Sequence, residues 1–441
     1  MSCKYNWWNL PIQIENKLNI SLKYNWHRIP IELNKLLREY ETDYNECYLQ
    51  FFKPNQKLIW FTLPSDIEKL CNLINCVEQP PYPVFNFDIG LFGTAMFDNY
   101  GIDDEATFIT YLEGQGATNV VVTDFTLTSD RLRCGLTFDD MTDLYLFDFG
   151  INKIYNVESL IDIERLFLYR NVITTIENLE PLVNLTTLSL GQNEILKIEN
   201  LDSLVNLMFL GLNSNQITTI ENLDYLVNLT VLNLSFNQIT TIENLDSLVS
   251  LNNLSLDNNE ILAIEGLDLL TSLTFLNLGG NQISTIEGLS TLVNLTFLAL
   301  YTNQITKIEG LSTLVNLTVL NLQLNEISAI DNLDLLVNLT YLDLSANKIR
   351  TIEGLNSLTN LTELYLIDND ISIIDNIDGL VNLTGIYLNS NSISVSQFDN
   401  LDSWAVLAPN NGIFDGSNNA EDFNLSTTYT TLLGKGWSIT L

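Results

Sequence analysis

The chain has 441 residues, with 54 Asp and Glu against 19 Lys and Arg, and a formal net charge of −35. A surface this acidic repels nucleic acid and anionic membranes, and no segment is long and apolar enough to span a bilayer. Five cysteines, four of them before residue 80, point to folding in a reducing cytoplasm rather than to a disulfide framework.

Residues 1–82 differ from the rest in composition. They carry nine basic and nine acidic residues, so the whole −35 belongs to the remainder, and they hold the only histidine, His27, with four of the six tryptophans. Tyr5 to Ile12 is echoed by Tyr24 to Ile31 at an offset of 19. Ile31 to Tyr40 predicts a helix, Tyr48 to Phe52 and Lys57 to Leu63 predict strands, and Pro64-Ser65-Asp66 opens a helix through Cys76. Met1 to Leu10 lacks an apolar stretch, so no signal peptide is expected. The expectation is a small α+β attachment domain, ended by Pro80-Pro81-Tyr82-Pro83.

Residues 84–165 predict an N-terminal cap with degenerate repeats. Asp103 caps a helix to about Glu113, ended by Gly114 or Gly116. Val120 to Leu127 and Leu144 to Ile151 resemble each other at an offset of 24 and are expected as degenerate repeat strands. Phe125 and Phe149 stand where the next segment places asparagine, as suits an atypical end repeat.

Residues 166–395 repeat one 22-residue phrase without insertion or deletion. Its clearest letter is the asparagine of Leu-x-Leu-x-x-Asn-x-Ile: Asn171, Asn193, Asn215, Asn237, Asn259, Asn281, Asn303, Asn325, Asn347, Asn369 and Asn391. A period of this length predicts a solenoid. Leu188 and Leu190 alternate along a short strand and face one side; strands of successive repeats stack as a parallel sheet. The asparagine amide suits the following turn, where it can bond buried backbone groups, so stacking makes a structural ladder. Ile195 and Ile198 return the chain inward, and Leu201, Leu204 and Leu207 line the return side. Position 200 and its equivalents are only Asn or Gly (Asn178, Asn222, Asn244, Gly266, Gly288, Gly310, Asn332, Gly354, Asn376), which predicts a positive φ there.

The phrase Ile-Glu-Asn/Gly-Leu, as at Ile220–Leu223 and Ile286–Leu289, resembles the leucine-rich repeat family, in the 22-residue class shared by phosphatase regulatory subunits and bacterial internalins. The resemblance covers a little over half the chain. It implies an α/β curved solenoid with a parallel β-sheet on its concave face; it does not by itself fix a function. Residues 396–441 predict a C-terminal cap: a strand at Gly412 to Asp415, a helix at Thr427 to Leu433, a turn and a final strand from Trp437. The ending Leu-Leu-Gly-Lys-Gly-Trp-Ser-Ile-Thr resembles a terminal unit of bacteriophage leucine-rich repeat proteins.

The strand residues flanking the leucines face the inner curve, and many are aromatic: Phe167, Tyr169, Phe209, Phe236, Phe275, Phe297, Tyr301, Tyr341, Tyr365 and Tyr387, with Tyr145 and Phe147 from the cap. Aromatics among small polar residues such as Ser189, Asn233 and Gln323 suit a surface that binds protein or glycan; alternatively they suit a parallel sheet and nothing more. Glu177, Glu199, Glu221, Glu243, Glu265, Glu287, Glu309, Asp331, Glu353 and Asp375 share one position and form either a solvated edge or, less simply, a calcium-binding line. Seven Asn-Leu-Thr tripeptides, at Asn184, Asn228, Asn294, Asn316, Asn338, Asn360 and Asn382, match a glycosylation acceptor, yet the repeat explains them without sugar. His27, Cys47, Cys71 and Cys76 have no zinc-site spacing, and with one histidine a catalytic triad has little to stand on. No cofactor, metal or catalytic residue is expected.

The sequence therefore predicts a non-catalytic interaction or adhesion protein. The first expectation is a virion-associated structural or host-recognition protein, made in the cytoplasm and attached to a larger assembly through residues 1–82. The alternatives are an intracellular, phosphatase-regulator-like scaffold and an internalin-like secreted adhesin.

Overall fold

A computed structural model describes residues 160–375, 377–419 and 426–440, together with 109, 112, 115, 118–128, 131–139, 142–147, 151–154 and 424. The attachment domain expected at residues 1–82, with its zinc-type residues, lies outside the described residues, as do Phe149 and Asn376.

Two strands, β1 (Thr118–Thr128) and β2 (Arg131–Asp139), pair antiparallel in a sheet of their own. This corrects the expectation that Val120 to Leu127 is a degenerate repeat strand. Only two residues separate β1 from β2, a connection that suits an antiparallel hairpin and is far too short for a parallel crossover. The solenoid sheet begins instead at Asp143–Tyr145, which pairs parallel with Arg165–Phe167 and aligns Leu144 with Leu166.

From there to Ser438–Thr440, fourteen strands form one parallel sheet in which spatial order follows chain order. The strands of the regular repeats are three residues long, as at Thr187–Ser189 and Phe275–Asn277, and pair with no register shift. Each centres on an apolar residue pointing inward. Leu188, Leu190, Ile195, Ile198, Leu201, Leu204 and Leu207 are all 0% exposed. One turn thus contributes seven buried aliphatic side chains, each stabilising by roughly 1.5–3 kcal/mol before the entropy of ordering the chain is subtracted. No single turn can bury this set alone; stacking makes the core continuous from Leu144 to Phe414.

The eleven ladder asparagines are 7–9% exposed. Asn281 is typical. Its Nδ2 donates to Leu278 O in its own turn and to Leu256 O in the turn before, both at 3.0 Å, while its Oδ1 accepts from Ile261 N at 3.0 Å. Asn171 and Asn391 make the same triple contact near the two ends. One further member follows an interval of 28 residues instead of 22. Asn419 Nδ2 donates to Leu388 O and Gly416 O, and its Oδ1 accepts from Ile393 N. The break in spacing hid it.

Each regular turn has two left-handed residues. The first is the Asn-or-Gly position, with φ near +60° at Asn178, Asn200, Asn222, Asn244 and Asn332 and between +66° and +78° at Gly266, Gly288, Gly310 and Gly354. One carbonyl explains both residue types. Asn244 Nδ2 donates to Ile220 O at 2.7 Å, whereas a Cβ on Gly266 would stand 2.5 Å from the equivalent Ile242 O. Asparagine bonds the carbonyl of the preceding turn, and glycine lets it come closer. The second left-handed residue precedes the ladder asparagine and has no compositional signature: Arg170, Gln192, Ser214, Phe236, Asn258, Gly280, Thr302, Leu324, Ala346, Asp368 and Ser390. Its N–H is held by the next turn, as where Phe236 N donates to Asp257 O at 2.8 Å.

The C-terminal cap contains helices α1 (Val395–Phe398), α2 (Asp402–Leu407) and α3 (Thr427–Gly434). Ile413–Asp415 and Ser438–Thr440 add the last two strands, as the sequence predicts. Phe398, Trp404 and Phe414 are fully buried and close the core. Trp404 Nε1 donates to Leu380 O, and the Trp437 ring meets Trp404 edge-on at 5.5 Å. The Lys435-Gly436-Trp437 ending is thus explained by cap packing.

Candidate functional site

Alternation along each strand puts three rows of side chains on the concave side, with the left-handed residue at their rim. The first row contains Phe209, Phe275, Phe297 and Tyr341; the second Tyr145, Phe167, Tyr365 and Tyr387; the third Phe147, Tyr169 and Tyr301. Phe236 is the exception. It is the left-handed residue before Asn237, outside the three rows, which corrects its assignment to the strand face. A Leu-x-Leu-x-Phe-Asn reading places it two residues past the second leucine, where the strand has already ended.

The aromatics gather in separate groups. Tyr145 and Phe167 stack at 4.6 Å, and Phe147 and Tyr169 at 4.7 Å. Phe275 and Phe297 stack at 4.3 Å. Tyr365 stacks on Tyr387 at 4.3 Å and tilts against Tyr341 at 5.2 Å. Stacking hides part of the rings: Phe275, Tyr365 and Tyr387 are 7–9% exposed, whereas Phe167, Phe209, Phe297 and Tyr341 are half-buried. Tyr301 lies alone over Gly279, where any Cβ would collide with its ring.

Carboxylates join these groups, and the aromatic pattern did not reveal them. Asp257 is buried, bonded by the Ser235 hydroxyl and by Asn258 Nδ2, and burial raises its pKa despite those donors. Tyr301 stands near it, its phenol pushed up by burial and then by the charge of Asp257. Asp343 accepts from Ser345 N at 2.8 Å and from the Tyr341 hydroxyl at 3.4 Å; burial raises it to about 6. Glu363 accepts from the Tyr365 hydroxyl at 3.2 Å and is raised by burial to about 7. Asp415, raised by burial, closes the group on the next strand. At the other end Asp143 is paired with Arg165, whose Nε donates to Oδ1 at 2.6 Å.

The Asn-Leu-Thr tripeptides occupy the flank where the chain enters the sheet. Asn294 Nδ2 donates to Thr271 O at 2.9 Å, and Thr296 Oγ1 donates to Thr274 O at 3.0 Å. Asn316 with Thr318, and Asn382 with Thr384, do the same. Asparagine and threonine thus hold carbonyls of the previous turn while the leucine between them enters the core, which accounts for the tripeptide without a sugar. A shallow groove of about 1200 Å³ runs along these residues. The outer acidic line is mostly exposed, with Glu243, Glu265, Glu287 and Glu353 in solvent and ion pairs of Lys153 with Glu177 at 3.1 Å and Lys307 with Glu309 at 3.7 Å. Among the described residues no three His, Cys, Asp or Glu side chains are grouped to hold a metal ion.

The family model for leucine-rich repeats (two copies) matches residues 227–269, 271–313 and 315–357. No curated protein matches the chain by sequence. Among solved structures, an internalin (inlF) from Listeria monocytogenes is 27% identical over 68% of this chain and 86% of its own, with a TM-score of 0.61. Internalin C2 from the same organism is 34% identical over 41% of this chain and 80% of its own, with a TM-score of 0.37. A plant peptide hormone receptor, RGFR1, in complex with RGF2 shares 20% identity over 70% of this chain and 52% of its own, with a TM-score of 0.51. The repeat phrase, the asparagine ladder, the parallel sheet, the family-model match and the likeness to the inlF structure agree: the chain is a leucine-rich repeat protein with an internalin-like solenoid.

Proposed function

We propose that this protein is a non-catalytic recognition module that binds a protein partner on the concave sheet, in the manner of an adhesin. The observation that carries the reading is the contrast between the columns within each turn. The core and ladder positions hold nearly the same residues throughout, while the concave rows carry stacked aromatics and carboxylates at chosen turns. A rigid sheet presents them already ordered, which lowers the entropic cost of association. The likeness to an internalin supports an internalin-like adhesin ahead of the phosphatase-type scaffold and ahead of a virion-associated protein. The C-terminal ending, which suggested the virion, is accounted for by the cap.

Panning a displayed random-peptide library against the full chain tests this. Recovered ligands are expected to lose at least tenfold in affinity for the Phe275→Ala, Phe297→Ala double variant and to keep full affinity for Val249→Ser, which changes an exposed residue away from the sheet. Ligands weakened by Val249→Ser and indifferent to the double variant would overturn the concave assignment.

A further inference from the structure

We propose that the tyrosine–carboxylate group at the C-terminal third of the concave sheet is a docking site for lysine or arginine side chains of the protein partner. The inference rests on the concave-face reading and adds the chemistry of what binds there. Strand register brings the group together. Asp343 pairs with Tyr365, Glu363 lies between Tyr341 and Gly385, and Tyr387 pairs with Asp415. Glu363 lies across Gly385, where any side chain would collide with its carboxylate. The result is carboxylates set among stacked phenol rings, and a cation is attracted by the carboxylate charge and can donate hydrogen bonds to the carboxylate oxygens.

Two further observations point to an external cation. From residue 187 to 440 the three concave rows contain no Lys or Arg, so Asp257, Asp343, Glu363 and Asp415 have no positive partner on their own sheet. This contrasts with Asp143, which the same sheet supplies with Arg165. Second, Asn389 stands on the concave side two residues beyond Tyr387. It is 1% exposed, and neither its amide nitrogen nor its amide oxygen has a hydrogen-bond partner. A buried amide left so is costly, and it marks a place where an arriving polar group would be received. A metal ion fits less well, because the described carboxylates are not clustered tightly enough to ligate one.

The site carries its own pH signature. Glu363 and Asp343, raised to about 7 and about 6 by burial, are partly protonated near neutrality. The groups around them are Tyr341 on one neighbouring strand, Tyr365 on the same strand as Glu363, Tyr387 on the next and Asp415 beyond it, none of them cationic. A bound ammonium or guanidinium would favour the ionised carboxylates and release protons, so binding should strengthen from pH 5.5 to pH 8.

The test is calorimetric titration of the full chain at physiological salt with pentalysine, penta-arginine and pentaglutamate peptides. The basic peptides are expected to bind, and the Asp343→Asn, Glu363→Gln double variant to weaken them about tenfold. A control, Glu243→Gln with Glu287→Gln, removes the same number of carboxyl groups from the outer acidic line and should change affinity less than twofold. Equal losses in both pairs would mean non-specific attraction and would overturn the proposal, as would displacement of the peptides by stoichiometric calcium. If the acidic-site variant is silent while library-selected ligands still fail on Phe275→Ala, Phe297→Ala, this inference falls and the concave reading stands. If those ligands ignore both variants, the concave reading falls as well.

Discussion

At the middle of each strand stands leucine, turn after turn from Leu144 to Leu364. The residue just before it runs through Asp143, Arg165, Thr187, Phe209, Val231, Asn253, Phe275, Phe297, Val319, Tyr341 and Glu363. The two positions are adjacent in the chain and differ only in which side of the sheet they face. The inward position must fill a core packed to near crystalline density, and identical turns stack best with identical side chains. The outward position bears no such constraint, so its residues are free to be set by what they meet. Uniformity marks the scaffold here, and variation marks the surface available for recognition.

Changes on the inward side should give the largest effects. Leu276→Ala, at a 0% exposed position in the middle of the core, is expected to cost about 3–5 kcal/mol, read as a shift in the urea midpoint. A result below about 1 kcal/mol would mean that the solenoid relaxes around the cavity. Asn281→Ala comes next, at about 1–3 kcal/mol, because it leaves the buried amide of Ile261 without its acceptor and removes one of two asparagine donors from each of the carbonyls of Leu256 and Leu278. Its exposed counterpart Asn294→Ala loses one bond, to Thr271 O, in solvent. It should cost less than about 1 kcal/mol, and comparable losses for the two would erase the distinction between the ladders.

On the outward side the sign reverses. Burial raises Glu363 from 4.5 to about 7 in the folded chain. The native state therefore holds its proton more tightly than the unfolded state, and this contribution to stability is fully present below pH 4.5 and lost as pH rises through 7. Glu363→Gln should accordingly stabilise the chain by on the order of 1 kcal/mol at pH 8, with no gain at pH 4; paired denaturation curves at the two pH values decide it. The smallest effect is expected at Leu324, a left-handed residue with φ of +56°. Asparagine tolerates that conformation better, so Leu324→Asn should raise stability by about 0.5 kcal/mol, seen as a small rise in Tm.

The comparison also explains what could be read in the chain beforehand. The asparagine ladder, the first left-handed position and the parallel sheet announce themselves because each imposes one or two residue types at one spacing. The second left-handed position is equally regular in backbone yet invisible, because its N–H is held by the neighbouring turn and its side chain points outward; arginine, phenylalanine and leucine all serve there. Phe236 was misplaced for that reason. Asn419 was hidden by the longer interval that accommodates α1 and α2. The hairpin of β1 and β2 was misread as a repeat because local similarity to Leu144–Ile151 outweighed the short connection. At the concave site the aromatics were legible and the carboxylates were not. Asp343 and Asp415 share a row but are separated by two strands carrying tyrosine, Glu363 sits in the neighbouring row, and only the register of the sheet joins them.

The most direct test of the account places a photoreactive phenylalanine at position 297, on the concave sheet, or at position 249, away from it, in the full chain. Each protein is then irradiated with a library-selected ligand. Division of each turn into scaffold and recognition surface predicts efficient cross-linking from 297 and background levels from 249. Cross-linking from 249 with none from 297 would contradict it.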